Sequence, residues 1–225
     1  MPGDLIQLDR EQRKKEIAVA EAKFRDALTA RVKSINWRSD VTDEPLAAYL
    51  ARQTRSADLI VTGVDRNVSA FDTSRHLNIG DFVMQAGRPI LVVPASADKV
   101  GFERILVGWK DTRETRRAIM DALPLLRQAA HVSVVEISSA EEMEAAQTRL
   151  ADVATWLECH GVTAEPIAAP STGEDAQQLQ SFALEHSADL IVAGAYGHSR
   201  VREWLLGGVT RDLLLRGGRC ALVSH

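Results

Sequence analysis

Apolar residues along the chain gather in short branched runs, and between the runs they recur at helical spacing. ILVGW (Ile105 to Trp109), HVSVVEI (His131 to Ile137), DLIVAG (Asp189 to Gly194) and CALVS (Cys220 to Ser224) are too short for helices. Rich in Val, Ile and Leu, they read as buried strands of a parallel sheet. A helix is predicted from about Thr112, with Ala118, Ile119, Ala122, Leu123 and Leu126 on one face and Pro124 in its last turn. Ser139, followed by Glu141 and Glu142, reads as the cap of a second helix carrying Met143, Leu150, Val153 and Leu157 inward until Gly161. VTAEPIA (Val162 to Ala168) is a strand suited to a sheet edge, because Pro166 cannot donate to a ladder. Helices over Asp175 to His186 and about Val209 to Arg216 complete an order βαβαβαβαβ. Such alternation implies a parallel sheet with helices on both faces and right-handed crossovers.

The pattern occurs twice. SADLIVAG, opening at Ser187, has a counterpart SADLIVTG opening at Ser56, 131 residues earlier. The offset holds to the far end, where Gly87-Arg88 falls on Gly218-Arg219 and Leu91-Val92 on Leu222-Val223. The fold class is therefore α/β, with two tandem doubly wound open-sheet domains of Rossmann-like type, spanning residues 1–97 and 102–225 and joined by a linker over Pro94 to Gly101. At this offset the first copy lacks its first strand, its first helix and most of its second strand. What remains is a helix from about Asp9 to Ala30 with Ile17, Ala20, Phe24, Ala27 and Leu28 inward, and a strand near INWRSDV (Ile35 to Val41). After these come a helix over Glu44 to Arg55, the strand ADLIVTG, a long loop, a short helix near Asp81 and the strand PILVVP. A sheet without its central strand exposes inner edges, so a rearranged local sheet, a second subunit or an upstream segment is expected to close it.

Composition narrows the class. Hydrophobic residues at 45% and charged residues at 26% suit a globular protein, and no stretch reaches the ~18 apolar residues of a membrane span. A net charge of −4 gives no basic field for nucleic acid. The N-terminal MPGDLIQLDREQRKK has no signal-peptide run, so the cytoplasm is expected. Cys159 and Cys220 lie far apart without metal spacing and read as reduced structural thiols.

The chemistry concentrates after the strand at Asp189. Gly194, Gly197, Gly207 and Gly208 stand between that strand and a helix start. Backbone N–H groups and the positive end of a helix dipole then converge where an anion can reach them. On Gly194-x-x-Gly197, nine residues, then Gly207-Gly208-Val209-Thr210, with the strands before and after, the chain resembles the universal stress protein family in its tandem form. The resemblance implies an open sheet with the first strand central and an adenine nucleotide, ATP foremost and able to carry Mg, at the strand carboxyl ends. It implies a cofactor-binding set of Lys110, Asp111, Ile137, Gly194, Gly197, His198, Arg200, Gly207, Gly208, Val209 and Thr210. Two positions depart from the family. Gly208 stands where a hydroxyl residue is expected, with Thr210 the nearest substitute, and Lys110 stands where a carboxylate meets the adenosine. Either Asp111 moves in, or Lys110 contacts phosphate, or the nucleotide is held weakly. In the first copy the equivalents of Gly197, Gly207 and Thr210 are Arg66, His76 and Ile79, leaving only Gly63 and no expected site.

No nucleophile, metal-binding carboxylate pair or oriented base accompanies the loop, so the resemblance implies regulation, with slow ATP hydrolysis at most. His198 reads as a polar loop residue, and Trp109 and Trp204 as packing residues beside the crevice. The rival reading is an interaction module without nucleotide, in which ILVV (Ile90 to Val93) and ALVS (Ala221 to Ser224) pair the two copies or two chains into a dimer. A third, an enzyme of the adenine-nucleotide α-hydrolase group, requires a Ser-Gly-Gly loop where Lys110-Asp111-Thr112 stands.

Overall fold

Strands from both copies enter one sheet. The computed structural model describes residues 2–42, 44–64, 77–97, 100–195 and 218–225. Among these, the element order is α1 (Pro2–Leu28), α2 (Leu46–Gln53), β1 (Ile60–Val64), α3 (Ile79–Ala86), β2 (Ile90–Pro94), β3 (Arg104–Trp109) and α4 (Arg113–Leu126). It continues with β4 (His131–Ser138), α5 (Met143–Cys159), β5 (Ala164–Pro170), α6 (Asp175–Glu185), β6 (Leu190–Gly194) and β7 (Cys220–Ser224). No described helix is long and apolar enough to cross a membrane. The chain divides into two units, residues 1–44 and 45–225.

In the larger unit the strand order is β1-β2-β7-β6-β3-β4-β5. Neighbours are parallel except at one seam, where β2 and β7 run antiparallel with Ile90 opposite Val223, Leu91 opposite Leu222 and Val92 opposite Ala221. These are the closing strands of the two copies. All six residues are buried, so their alternating side chains join the cores on both sheet faces. On one face Ala118, Ile119, Ala122 and Leu126 of α4 and Leu150 and Leu157 of α5 meet Ile105, Val107, Val192 and Leu222. On the other, Phe82 and Val83 of α3 and Leu179 and Ala183 of α6 meet Leu106, Ile191 and Val223. The helical faces expected for α4 and α5 are the buried ones, and β5, with its Pro166, is an edge strand.

Two sequence expectations fail in the smaller unit. Ile35 to Val41 forms no strand. A strand needs a ladder partner, and the described residues of this unit offer none. The helix α1 also does not bury its expected face: Ala20 and Ala27 are exposed, as is Phe24 at 41%, while Ile17 and Leu28 are half-buried. Among the described residues of 1–44 no strand covers that face, and Phe24 instead packs on Trp37 with ring centroids 5.4 Å apart. Ser139 differs as well, since it heads a short 3-10 turn at Ala140–Glu142 that leads into α5. Among the described residues β1 pairs with β2 alone and forms the other edge of the sheet, where Val61 is 62% exposed.

Within the larger unit the seam joins β1 and β2 to the remaining strands in one sheet. Leu222, 1% exposed at its centre, is a sensitive probe. Leu222→Ala is expected to cost about 2–5 kcal/mol, read as a lower urea midpoint in a single transition; two separate transitions would contradict a shared core.

Candidate functional site

The strand order reverses at β3. From β3 the chain proceeds through α4 to β4 and through α5 to β5, then returns through α6 to β6 on the opposite side of β3. A crevice at the carboxyl ends of β6 and β3 follows from that reversal. Register brings the expected residues there: Gly108 lies opposite Ala193 and Trp109 opposite Glu136, so Lys110, Ile137 and Gly194 emerge from three adjacent strands at about one level. Lys110 and Asp111 are exposed, and Ile137 is half-buried. Of the expected cofactor-binding residues these four lie together, while Gly197, His198, Arg200, Gly207, Gly208, Val209 and Thr210 lie outside the described residues, as does Trp204.

Gly194 is a steric requirement. A Cβ built on it would lie 2.5 Å from the Thr115 nitrogen and 2.6 Å from the Glu114 carbonyl carbon, both backbone atoms in the first turn of α4. The end of β6 therefore packs directly on a helix start, and no flexible group can yield. The equivalent Gly63 has no such neighbour: its added Cβ would come no closer than 3.9 Å, to the Val93 carbonyl oxygen. No described helix start packs on Gly63 as α4 packs on Gly194. Beyond Gly194, the Ala195 N–H donates to the Ser224 carbonyl at 2.8 Å, tying the start of the glycine segment to the end of β7. The Ser224 hydroxyl is fully buried with no partner among the described residues.

The start of α4 is already occupied by the protein's own groups. Thr112 caps it, its hydroxyl accepting from the Thr115 N–H at 3.3 Å. Glu114 is buried and bonded to Arg113. Burial alone would raise its pKa, but hydrogen bonds from Arg113, from its own backbone N–H and from the Thr112 hydroxyl, with the Arg113 charge, hold it below the ordinary value of 4.5. A carboxylate of the chain itself therefore already takes the α4 terminus. Asp111 is likewise engaged, bonding Arg116 at 2.5 Å. Lys110, its neighbour at the end of β3, is exposed and forms no ion pair among the described residues.

Two further polar groups escaped the sequence reading. Glu136, 3% exposed, accepts from Arg149 Nε at 3.0 Å and Nη2 at 2.5 Å and from Ser138 at 3.1 Å. Its signal was a lone acidic residue in an otherwise apolar strand, thirteen residues before a basic one on the covering helix. The other is a Ser-His-Glu cluster across β4, β5 and the end of α6: Ser133 lies 3.4 Å from His186 Nδ1, and Glu165 lies 3.9 Å from the same nitrogen. A relay needs the acid on one ring nitrogen and the nucleophile on the other, so this cluster does not assemble an activated serine. Cys220 is buried, and burial first, with the nearby Asp189 carboxylate second, pushes its thiol up, consistent with an inert structural cysteine. Among the described residues no group of three His, Cys, Asp or Glu could hold a metal.

The model of the universal stress protein family matches residues 101–217. Among solved structures, a universal stress protein from Archaeoglobus fulgidus DSM 4304 superposes with a TM-score of 0.74 at 16% identity, covering 96% of this chain and 78% of that one. A functionally unknown protein from Pseudomonas aeruginosa PAO1 superposes with a TM-score of 0.61 at 14% identity, covering 92% and 77%. At these identities the structural likeness bears on fold alone. No curated protein matches the chain.

Gly194→Ala is expected to destabilise by about 1–3 kcal/mol and Gly63→Ala to change stability by under about 0.5 kcal/mol, compared by chemical denaturation; equal effects would refute the packing argument. Glu114 supplies a pH test. Its folded-state pKa is depressed, so its stabilisation is present above the unfolded value and lost as pH falls through the folded one. Stability of the wild type relative to Glu114→Gln, followed downward from pH 7, should stay constant until about pH 4.5 and then shrink.

Proposed function

The chain belongs to the universal stress protein family, and on that premise we propose that its second copy is a regulatory site for an adenine nucleotide, with ATP the first candidate and Mg accompanying it. The observation that carries the reading is the placement of Gly194: the glycine-rich segment begins where β6 presses on α4, beside β3, at the reversal of strand order. A segment with Gly194, Gly197, Gly207 and Gly208 leaving such a point lets backbone N–H groups approach phosphate oxygens without side-chain obstruction. Lys110 replaces the carboxylate role at the strand end with a phosphate contact, and Asp111, bonded to Arg116, is the less available of the pair. Thr210 supplies the hydroxyl that Gly208 lacks.

The same geometry supports regulation over turnover. The described crevice presents no base held by an orienting partner and no activated nucleophile, so bound nucleotide would be retained as a signal, with slow hydrolysis at most. The first copy contributes structure. It lacks the packed glycine, and its closing strand is consumed at the seam with β7, which mimics within one chain the pairing that two chains would otherwise make.

Equilibrium binding of labelled ATP tests the proposal. Gly197→Val should weaken binding by at least about tenfold, since a branched side chain blocks backbone approach to phosphate, and Lys110→Ala should weaken it severalfold by removing a phosphate contact. Unchanged affinity in Gly197→Val would sink the loop assignment. Absence of any saturable binding would favour an interaction module without nucleotide.

A further inference from the structure

The two edges of the sheet differ in chemistry. β5 carries Glu165, Pro166 and Pro170, a charge and two residues without a backbone donor, which guard an edge against further strands. β1, Ile60–Val64, carries neither charge nor proline. Its outer side is open to strand addition.

The internal repeat shows what such an edge holds. β1 pairs with β2 as β6 pairs with β7, since Ile60 stands opposite Ile90 and Ile191 opposite Ala221, each residue 131 positions from its counterpart. The outer side of β1 thus corresponds to the side of β6 that holds β3 in parallel. There Asp189 grips the first residue of β3, its N–H donating to the Arg104 carbonyl at 2.8 Å and its Oδ2 accepting from the Arg104 N–H at 3.0 Å. Asp58, its counterpart, is exposed and makes neither bond among the described residues. Leu190 and Val192 are fully buried beside β3, whereas their counterparts Leu59 and Val61 are 37% and 62% exposed. The backbone agrees. The Ile60 N–H donates to the Pro89 carbonyl at 3.0 Å, towards β2, so by alternation the backbone groups of Val61 and Gly63 point outward. Among the described residues all seven strands already have places in the sheet, so an occupant comes from outside them.

We propose that the outer side of β1 is a strand-addition site for an extended apolar segment of another polypeptide, running parallel to β1 with its leading residue held by Asp58. The register of β3 on β6 sets the sequence that fits. Ile105, Leu106 and Val107 fall opposite Leu190, Ile191 and Val192, so a run of branched apolar residues lies against Leu59, Ile60 and Val61 in the same way.

A peptide with the sequence of residues 103–111, labelled with fluorescein at its carboxyl end, is the probe. Titrated with the full chain, its anisotropy should rise and saturate at one peptide per chain. Val61→Lys, at an exposed position, should weaken binding at least about tenfold by removing apolar contact and charging the edge. Asp58→Ala should weaken it about fivefold by removing the carboxylate acceptor. Arg104 turns its backbone groups towards β6, and Leu106 alternates into the same orientation, so the peptide carrying Leu106→Pro loses a donor aimed at β1 and should not bind. Non-saturating anisotropy, or equal affinity in the wild type, Val61→Lys and Asp58→Ala, overturns the site. Light scattering of the chain alone should give one mass for the wild type and Val61→Lys; a dimer that Val61→Lys dissociates puts a second copy on this edge and overturns the proposal.

Discussion

Three residue pairs between β2 and β7 decide the shape of the larger unit. Ile90 with Val223, Leu91 with Leu222 and Val92 with Ala221 form the single antiparallel ladder in an otherwise parallel sheet. Each copy closes on a short apolar strand, and a strand so rich in buried branched residues cannot be left at an edge without exposing both side chains and backbone donors. Pairing the two closing strands satisfies both at once. The first copy, reduced to β1 and β2 in the sheet, is thereby held by the complete one and contributes α2 and α3 to the core beneath the seam.

Gly194 and Gly63 end equivalent strands and meet different surroundings. A Cβ added to Gly194 would collide with the first turn of α4, whereas on Gly63 it would come no closer than 3.9 Å to its nearest neighbour among the described residues, the Val93 carbonyl oxygen. In the sequence beyond them, Arg66 and His76 stand 131 residues before Gly197 and Gly207. At the start of α4 the protein's own groups are already paired, since Glu114 takes the helix terminus and Arg116 bonds Asp111.

Much of the larger unit was legible in the sequence. The apolar faces of α4 and α5 and the edge position of β5 follow from residue spacing and from Pro166, because those elements find the partners their patterns presuppose, while the interior place of β3 is an implication of the family resemblance. Ile35 to Val41 and the Ile17 to Leu28 face of α1 failed for the opposite reason. Their patterns presuppose a sheet that residues 1–44 do not contain. At the candidate site, Lys110, Asp111, Ile137 and Gly194 came from the family resemblance, and strand register brings them to about one level. The pairing of Glu114 and Glu136 could not be read that way, because burial and partnering of a single polar residue depend on what packs above it.

The sequence by itself determined the family, the βα alternation, the repeat and the position of the glycine segment, since each is written in local composition and spacing. Only the tertiary structure decided that the two copies share one sheet, that Gly194 admits no side chain whereas Gly63 does, and that Asp111 is already bonded. Those are contacts between residues far apart in the chain, and the energies that set them, steric exclusion and the pairing of buried polar groups, arise only when the elements come together.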